Sequence, residues 1–303
     1  MNRSVINIID GVQTSDGAGV KLRRIIGGPD LNMFDPFLLF DEFGSDNPDD
    51  YIAGFPPHPH RGFETITYML NGKFRHKDSA GNEGLLSDGS VQWMTAGSGV
   101  IHSEMPEKTD GLARGFQLWL NLPKKLKMID PSYSDIPSEK IPEVKLDNGR
   151  VRVISGTYNN VTGPGEPHTG VFYFDVELNQ SESIEIPIDD FWNTFIYVYS
   201  GQACVGDHNI LQGQLAIISQ KGILTFRSSE SSDLQCIVVS GEPINEPVAR
   251  GGPFVMNTKA EVLQAFNDYQ KGVLVKQHEN CLLYTSDAAD DTPCVDLGGR
   301  RII

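Results

Sequence analysis

No apolar run in this 303-residue chain approaches the roughly 20 residues that a membrane-spanning helix needs. The longest, such as Cys236-Ile237-Val238-Val239 and Leu215-Ala216-Ile217-Ile218, are far too short. The opening MNRSVINIID carries only a brief apolar stretch, interrupted at Asp10, and predicts no secretory leader. Positive charge is also scarce. The chain has 25 lysines and arginines against 40 aspartates and glutamates, a net charge of −15. Such a chain repels a phosphate backbone, so direct nucleic-acid binding is disfavoured. The basic clusters Lys21-Leu22-Arg23-Arg24 and Lys124-Lys125-Leu126-Lys127 read as solvated surface turns.

Cysteine is nearly absent as well. Of the four cysteines, Cys281 and Cys294 fall in a terminal stretch, 281–303, that has neither helical nor strand periodicity. That stretch resembles the conceptual translation of a transposase-type sequencing adapter, with an index at Asp291 to Pro293, and is set apart from the fold. Cys204 and Cys236 remain, giving no disulfide framework and no CxxC metal spacing. A reducing compartment fits, and the expected location is the cytoplasm, with the nucleus also open to a eukaryotic chain.

What the chain does have is 31 glycines and 18 prolines among short apolar runs, the composition of many strands and turns. Two segments repeat at an offset of 129. ETITYMLNG (Glu64 to Gly72) superposes on NTFIYVYSG (Asn193 to Gly201), so Tyr68 falls on Tyr197 and Gly72 on Gly201. A second strand pair around a glycine follows in both, Leu85 to Gly97 and Ile210 to Ser219. Strand, turn, strand, glycine, strand, made twice, predicts an all-β bicupin of two antiparallel β-barrel (jelly-roll) domains. The expected division is 1–132 for a metal-binding N-terminal domain and 133–280 for a degenerate C-terminal one, joined by the Pro-punctuated linker Asp130 to Glu143. A short C-terminal helix is expected where Thr258 and Glu261 stand in capping-box spacing, followed by Val262, Ala265, Phe266 and Tyr269 and closed by Gly272.

The chemistry concentrates in the first copy. FPPHPHRGFET holds His58, His60 and Glu64; SGVIHSEMPE holds His102 and Glu104. Residues two apart in an extended chain face one side, so each HxH and HxE pair can point inward together. A lone histidine in a strand is usually a core or surface residue, but two such pairs flanking one hairpin point to a metal. Imidazoles with one carboxylate suit iron, nickel, copper, manganese, cobalt or zinc. His76, His168 and His208 read as exposed turn residues, and His278 lies near the end. Shifted by 129, the second copy places Pro187 at His58, Asp189 at His60 and Asn193 at Glu64. Aligning Gly213 with Gly89 sets Phe226 opposite His102, so the second domain is expected to bind no metal.

FDPFLLFDEF (Phe34 to Phe43), HPHRGFET, QWMTAGSGVIHSEMP (Gln92 to Pro106), GFQLWLNLP (Gly115 to Pro123) and GPFVMNT (Gly252 to Thr258) resemble the pirin family of the cupin superfamily, from about Val20 to Gly272. The resemblance implies ligands His58, His60, His102 and Glu104, with iron(II) the usual metal. It leaves Glu64 beside the site, orienting a histidine. It also implies quercetin 2,3-dioxygenase activity on flavonol-like molecules and dioxygen, with Glu104 as general base. Gln117 would run past the site as a donor to substrate or stand as an ordinary surface glutamine, Phe55, Trp93 and Phe63 would form aromatic walls or belong to the core, and Asp41 would line the mouth or end a strand. The competing implication is a non-enzymatic, redox-responsive iron protein acting on protein partners through a surface that includes Arg23, Arg24 and Arg61.

Overall fold

The computed structural model describes residues 2–107 and 111–276; His278 and the adapter-like segment 281–303 lie outside the described residues. The chain folds into two copies of one architecture, each a seven-stranded sheet packed on a four-stranded one. In the first copy the large sheet runs Ser132–Ile136, Val91–Thr95, Phe63–Asn71, Ala113–Asn121, Phe37–Ser45, Val20–Ile26, Val12–Asp16. Its small sheet runs Phe55–His60, Val100–Pro106, Phe74–Asp78, Glu83–Leu86. The neighbouring strands of both sheets pair antiparallel. The result is the expected bicupin jelly roll, although the two sheets of each domain are not hydrogen-bonded into a closed barrel.

The repeat survives into three dimensions. Phe63–Asn71 and Asn193–Ser200 occupy the same place in their sheets, and the matched turn glycines Gly89 and Gly213 both take left-handed φ, +74° and +84°. Tyr68 and Tyr197 both turn into the main core, which lies between the two large sheets. There Ile66, Phe116, Leu118 and Phe40 of one domain meet Tyr173, Phe195, Ile237 and Val239 of the other. Asp175 sits in this apolar layer; buried, it accepts from the hydroxyls of Tyr68 (2.6 Å) and Tyr199 (2.7 Å). A buried carboxylate needs such donors, and Arg152, bonded to the Tyr68 hydroxyl at 2.8 Å, brings the compensating charge close.

The chain ends are exchanged, so the division at residue 132 is not clean. Val5–Asp10 adds to the C-terminal domain's large sheet along Gln214–Ile218. In return, the hairpin Ala249–Gly251/Phe254–Met256 and the helix Lys259–Gln270 come back to the N-terminal domain, where Phe254 bridges to Arg61. The helix is capped as its sequence predicts, the Thr258 side chain accepting from the Glu261 amide while the Glu261 carboxylate accepts from Thr258. Its buried face is narrower than the apolar pattern suggests: Val262 and Ala265 are covered, but Phe266 and Tyr269 stay 37% and 40% exposed. No helix among the described residues is long and apolar enough to cross a membrane.

Candidate metal centre

The two segments carrying the HxH and HxE pairs lie side by side in the small sheet. His102 is directly opposite His58, and Val100 opposite His60. Alternation then turns His58, His60 and His102 toward one point. Their ring centroids form a triangle of 4.6, 4.4 and 4.9 Å, and one nitrogen from each falls within 4.8 Å of the others. Between His102 and Glu104 the register slips, because two residues of the facing strand, Pro56 and Pro57, stand opposite the single Ser103. The slip falls at Pro56-Pro57, which cannot donate to a ladder, and an unpaired residue there bends the strand.

Glu104, the fourth predicted ligand, follows His102 two residues on along the same unbroken strand. Glu104 is buried, but its carboxylate is not among the atoms of the close group. It accepts from the Thr67 hydroxyl at 3.1 Å and from the Gln117 amide at 3.2 Å. Gln117 is therefore no ordinary surface residue. It faces inward and lines a cavity of about 550 Å³ with His58, His60, Phe55, Trp119, Arg24 and Arg250. Asp41 sits in mid-strand beneath this rim, in a bidentate pair with Arg24 (3.0 and 2.7 Å), and burial pushes its carboxyl up to about 6.

Each imidazole has a partner at Nδ1. That of His58 meets the Pro56 carbonyl at 2.9 Å, that of His60 the Pro253 carbonyl at 3.4 Å, and that of His102 the Nδ1 of His76 at 3.4 Å. A carbonyl only accepts, so Nδ1 of His58 and of His60 is the donor, which leaves Nε2 as the ring nitrogen free for another partner. The Nε2 of His102 is buried with no protein partner. Burial, reinforced by the neighbouring imidazoles, holds His60 and His102 well below the usual histidine range, so both are neutral near pH 7. Imidazole nitrogens gathered around one point, one of them buried without a partner, are what a borderline divalent metal requires, and this donor set fits one. His58, His60 and His102 would hold it.

The remaining expectations divide. Phe55 lines the cavity, and Phe63 lies under the site, against His60 (5.0 Å) and Trp119 (4.3 Å). Trp93 does not reach it: it faces the interdomain core and a separate cleft with Tyr133 and His168. Glu64 is likewise on the wrong side. Gly62, at φ +91°, breaks the extended chain after His60, so Phe63, Thr65 and Thr67 face inward and Glu64 faces the other domain. Fully buried there, it accepts from Thr95 (2.8 Å) and from His168 Nδ1 (2.9 Å). The histidine it orients belongs to the second domain, and His168 is a half-exposed partner rather than a free turn residue.

Two basic residues expected at the surface are internal. Arg61 donates to the Ser98 carbonyl at 2.6 Å and pairs with Asp268 at 2.7 Å, tying the chain beside His60 to the C-terminal helix. Lys127, 1% exposed, donates to the carbonyls of Gly62 and Val255 and to Asn121. Burial outweighs the pull of Glu246 and Glu261 and pushes its ammonium down to about 8 from 10.5. Between those values the folded chain holds fewer protons than the unfolded one, so stability rises with pH across the window and is lost as pH falls through about 8. In urea titrations the stability of the protein relative to Lys127→Met should climb from pH 8 to 10.5 and lie flat below 8; a flat line throughout would show that the ammonium does not titrate there.

His76 and the Pro253 carbonyl are what sequence reasoning missed. His76 lies in the strand Phe74–Asp78, fully buried, where alternation with Phe74 gave a weak inward signal. Pro253 gave none. In the second domain, register places Ile184 opposite Phe226 and Ile186 opposite Leu224, as His58 is opposite His102 and His60 opposite Val100. Ile184 and Ile186, rather than Pro187 and Asp189, therefore stand at the histidine positions, because the turn before Asn193 is longer. All are buried in one apolar cluster.

The Pirin family model matches residues 19–120, and the model of the Pirin C-terminal cupin domain matches residues 173–275. The chain is 46% identical over 273 residues to a pirin-like protein of Caulobacter vibrioides, covering 89% of this chain and 98% of that one. It is 39% identical over 263 residues to pirin of Homo sapiens, covering 85% and 89%. A crystal structure titled quercetin 2,3-dioxygenase from Acinetobacter baumannii superposes with a TM-score of 0.82 at 32% identity, covering 90% of this chain and 99% of that one.

Proposed function

The chain belongs to the pirin family, and on that premise we propose that its N-terminal domain is a metal-dependent dioxygenase that opens the heterocycle of quercetin-like flavonols and releases carbon monoxide. The observation that carries this reading is the triangle of imidazoles beside a cavity of about 550 Å³, within the size range of small-molecule sites. The solved relative that is named for quercetin 2,3-dioxygenase activity supports it. Iron(II) is the ion proposed, held by His58, His60 and His102 with Glu104 as a fourth donor; nickel, manganese, copper, cobalt and zinc suit the same nitrogen and oxygen set. A bound ion there would supply Lewis acidity to the flavonol oxygens and, if redox-active, an electron path to dioxygen.

The protein's own contribution is proton transfer and orientation. Glu104, aimed by Thr67 and Gln117, takes the proton of the flavonol 3-hydroxyl. Trp119 and Phe55 offer flat apolar surface to the fused rings, and Arg24 and Arg250 at the rim favour the resulting anion. Dioxygen then adds across C2 and C4 of the flavonolate, and C3 departs with its oxygen as carbon monoxide.

Iron(II)-loaded protein mixed with quercetin in air should bleach the flavonol absorbance and evolve carbon monoxide in equal amounts. Protein that binds iron, nickel, manganese, cobalt and copper yet leaves quercetin intact with every one would overturn the enzymatic reading in favour of a metal-responsive interaction protein.

A further inference from the structure

Nε2 ligation requires the proton of each imidazole to sit on Nδ1, and the partner at Nδ1 decides whether it does. For His58 and His60 the partner is a carbonyl oxygen, and only one tautomer is compatible. For His102 it is another imidazole, which can donate or accept. If His76 donates from Nδ1, the proton of His102 is forced to Nε2 and blocks the lone pair facing the other two rings. If His76 accepts, His102 presents a bare Nε2. One histidine thus controls whether the triangle has three donors or two.

We propose that His76 is a positioning residue for the metal centre: its Nδ1 accepts from the Nδ1–H of His102 and fixes that ring as an Nε2 donor. This rests on the reading that the three imidazoles hold a metal. His76 is built to hold one orientation. It is fully buried, and its ring stacks on Tyr133 of the opposite sheet at 4.5 Å and 20°. The Tyr133 hydroxyl is held in turn by Gln92 at 3.0 Å. His76 therefore spans the two sheets of the domain, with one face on Tyr133 and its Nδ1 on the ligand. Its own Nε2 has no partner, so the ring is not there to complete a network elsewhere. Carbonyls and carboxylates, the usual partners of a ligating histidine, can only accept; an imidazole needs its own tautomer set as well.

Substitution separates this role from space filling. In His76→Asn the amide oxygen falls near the position of Nδ1 and still accepts; in His76→Leu the volume is kept and the acceptor lost. Cobalt(II) affinity of the full chain, measured by chelator competition, should weaken ~10–100-fold in His76→Leu, the range for loss of an outer partner, and return close to wild type in His76→Asn. The nitrogen-15 shifts of the zinc(II)-loaded wild type should show His102 protonated at Nδ1 and metallated at Nε2. If His76→Leu does not fold, His76→Gln serves instead, since its amide reaches the Nε2 position and should bind as weakly. Leucine or glutamine variants that bind as tightly as wild type, an asparagine variant no better than they are, or His102 metallated at Nδ1, would each overturn the assignment. Wild-type protein that takes up neither metal would instead bring down the reading of the site, and this inference with it.

Discussion

His60→Ala should abolish both metal uptake and flavonol turnover while leaving the chain folded. His60 has the most constrained position of the three rings. It is wedged between Phe63 and Trp119, at 5.0 and 5.1 Å, and its Nδ1 is turned to a carbonyl of the returning C-terminal hairpin. No other described histidine or acid lies close enough to replace it in the group. Loss of an outer partner costs a metal site ~10–100-fold, so loss of a direct donor should cost more than the upper end of that range. One equivalent of iron(II) should not survive gel filtration on the variant, and quercetin should decay no faster than without protein. The exposed His208, on the second domain, provides the control: His208→Ala should behave as wild type. Metal retained at full stoichiometry by His60→Ala would place the ion somewhere other than this triangle.

Glu104→Gln should separate binding from chemistry. The substitution keeps the shape and an oxygen to accept from Thr67, and the Gln117 amide can rotate to meet the new amide group. It removes the carboxylate proposed to take the flavonol proton. General-base loss is worth ~10²–10⁴ in rate, so kcat should fall by that factor. The three imidazoles remain, so metal should still bind, less tightly if Glu104 also coordinates. The informative comparison is turnover per bound metal. A variant that turns over normally per metal would remove Glu104 from the proton-transfer step; one that simply loses its metal would make it chiefly a ligand.

The part of the site legible in the sequence is the part that a single strand encodes. His58 with His60, and His102 with Glu104, were placed on shared faces by the two-residue period, and the structure turns all three imidazoles to one point. Glu64 failed for a related reason. Counting in twos from His60 puts it inward, but Gly62 interrupts the extended chain and shifts the count by one, sending Glu64 to His168. Arg61 and Lys127 looked like surface charge because basic residues usually are, and their buried acceptors come from segments far along the chain.

By itself the sequence determined the all-β class, the duplication that pairs Tyr68 with Tyr197, the helix cap at Thr258 and the histidine pairs, since each follows from backbone period or turn chemistry within a dozen or so residues. Tertiary structure decided the rest. It sent Val5–Asp10 to the other domain, brought Pro253 to His60 and His76 to His102, and set the carboxylate of Glu104 on Thr67 and Gln117. These depend on which strands become neighbours and where a distant segment docks. Such choices are settled by burial across the whole core, which no local pattern encodes.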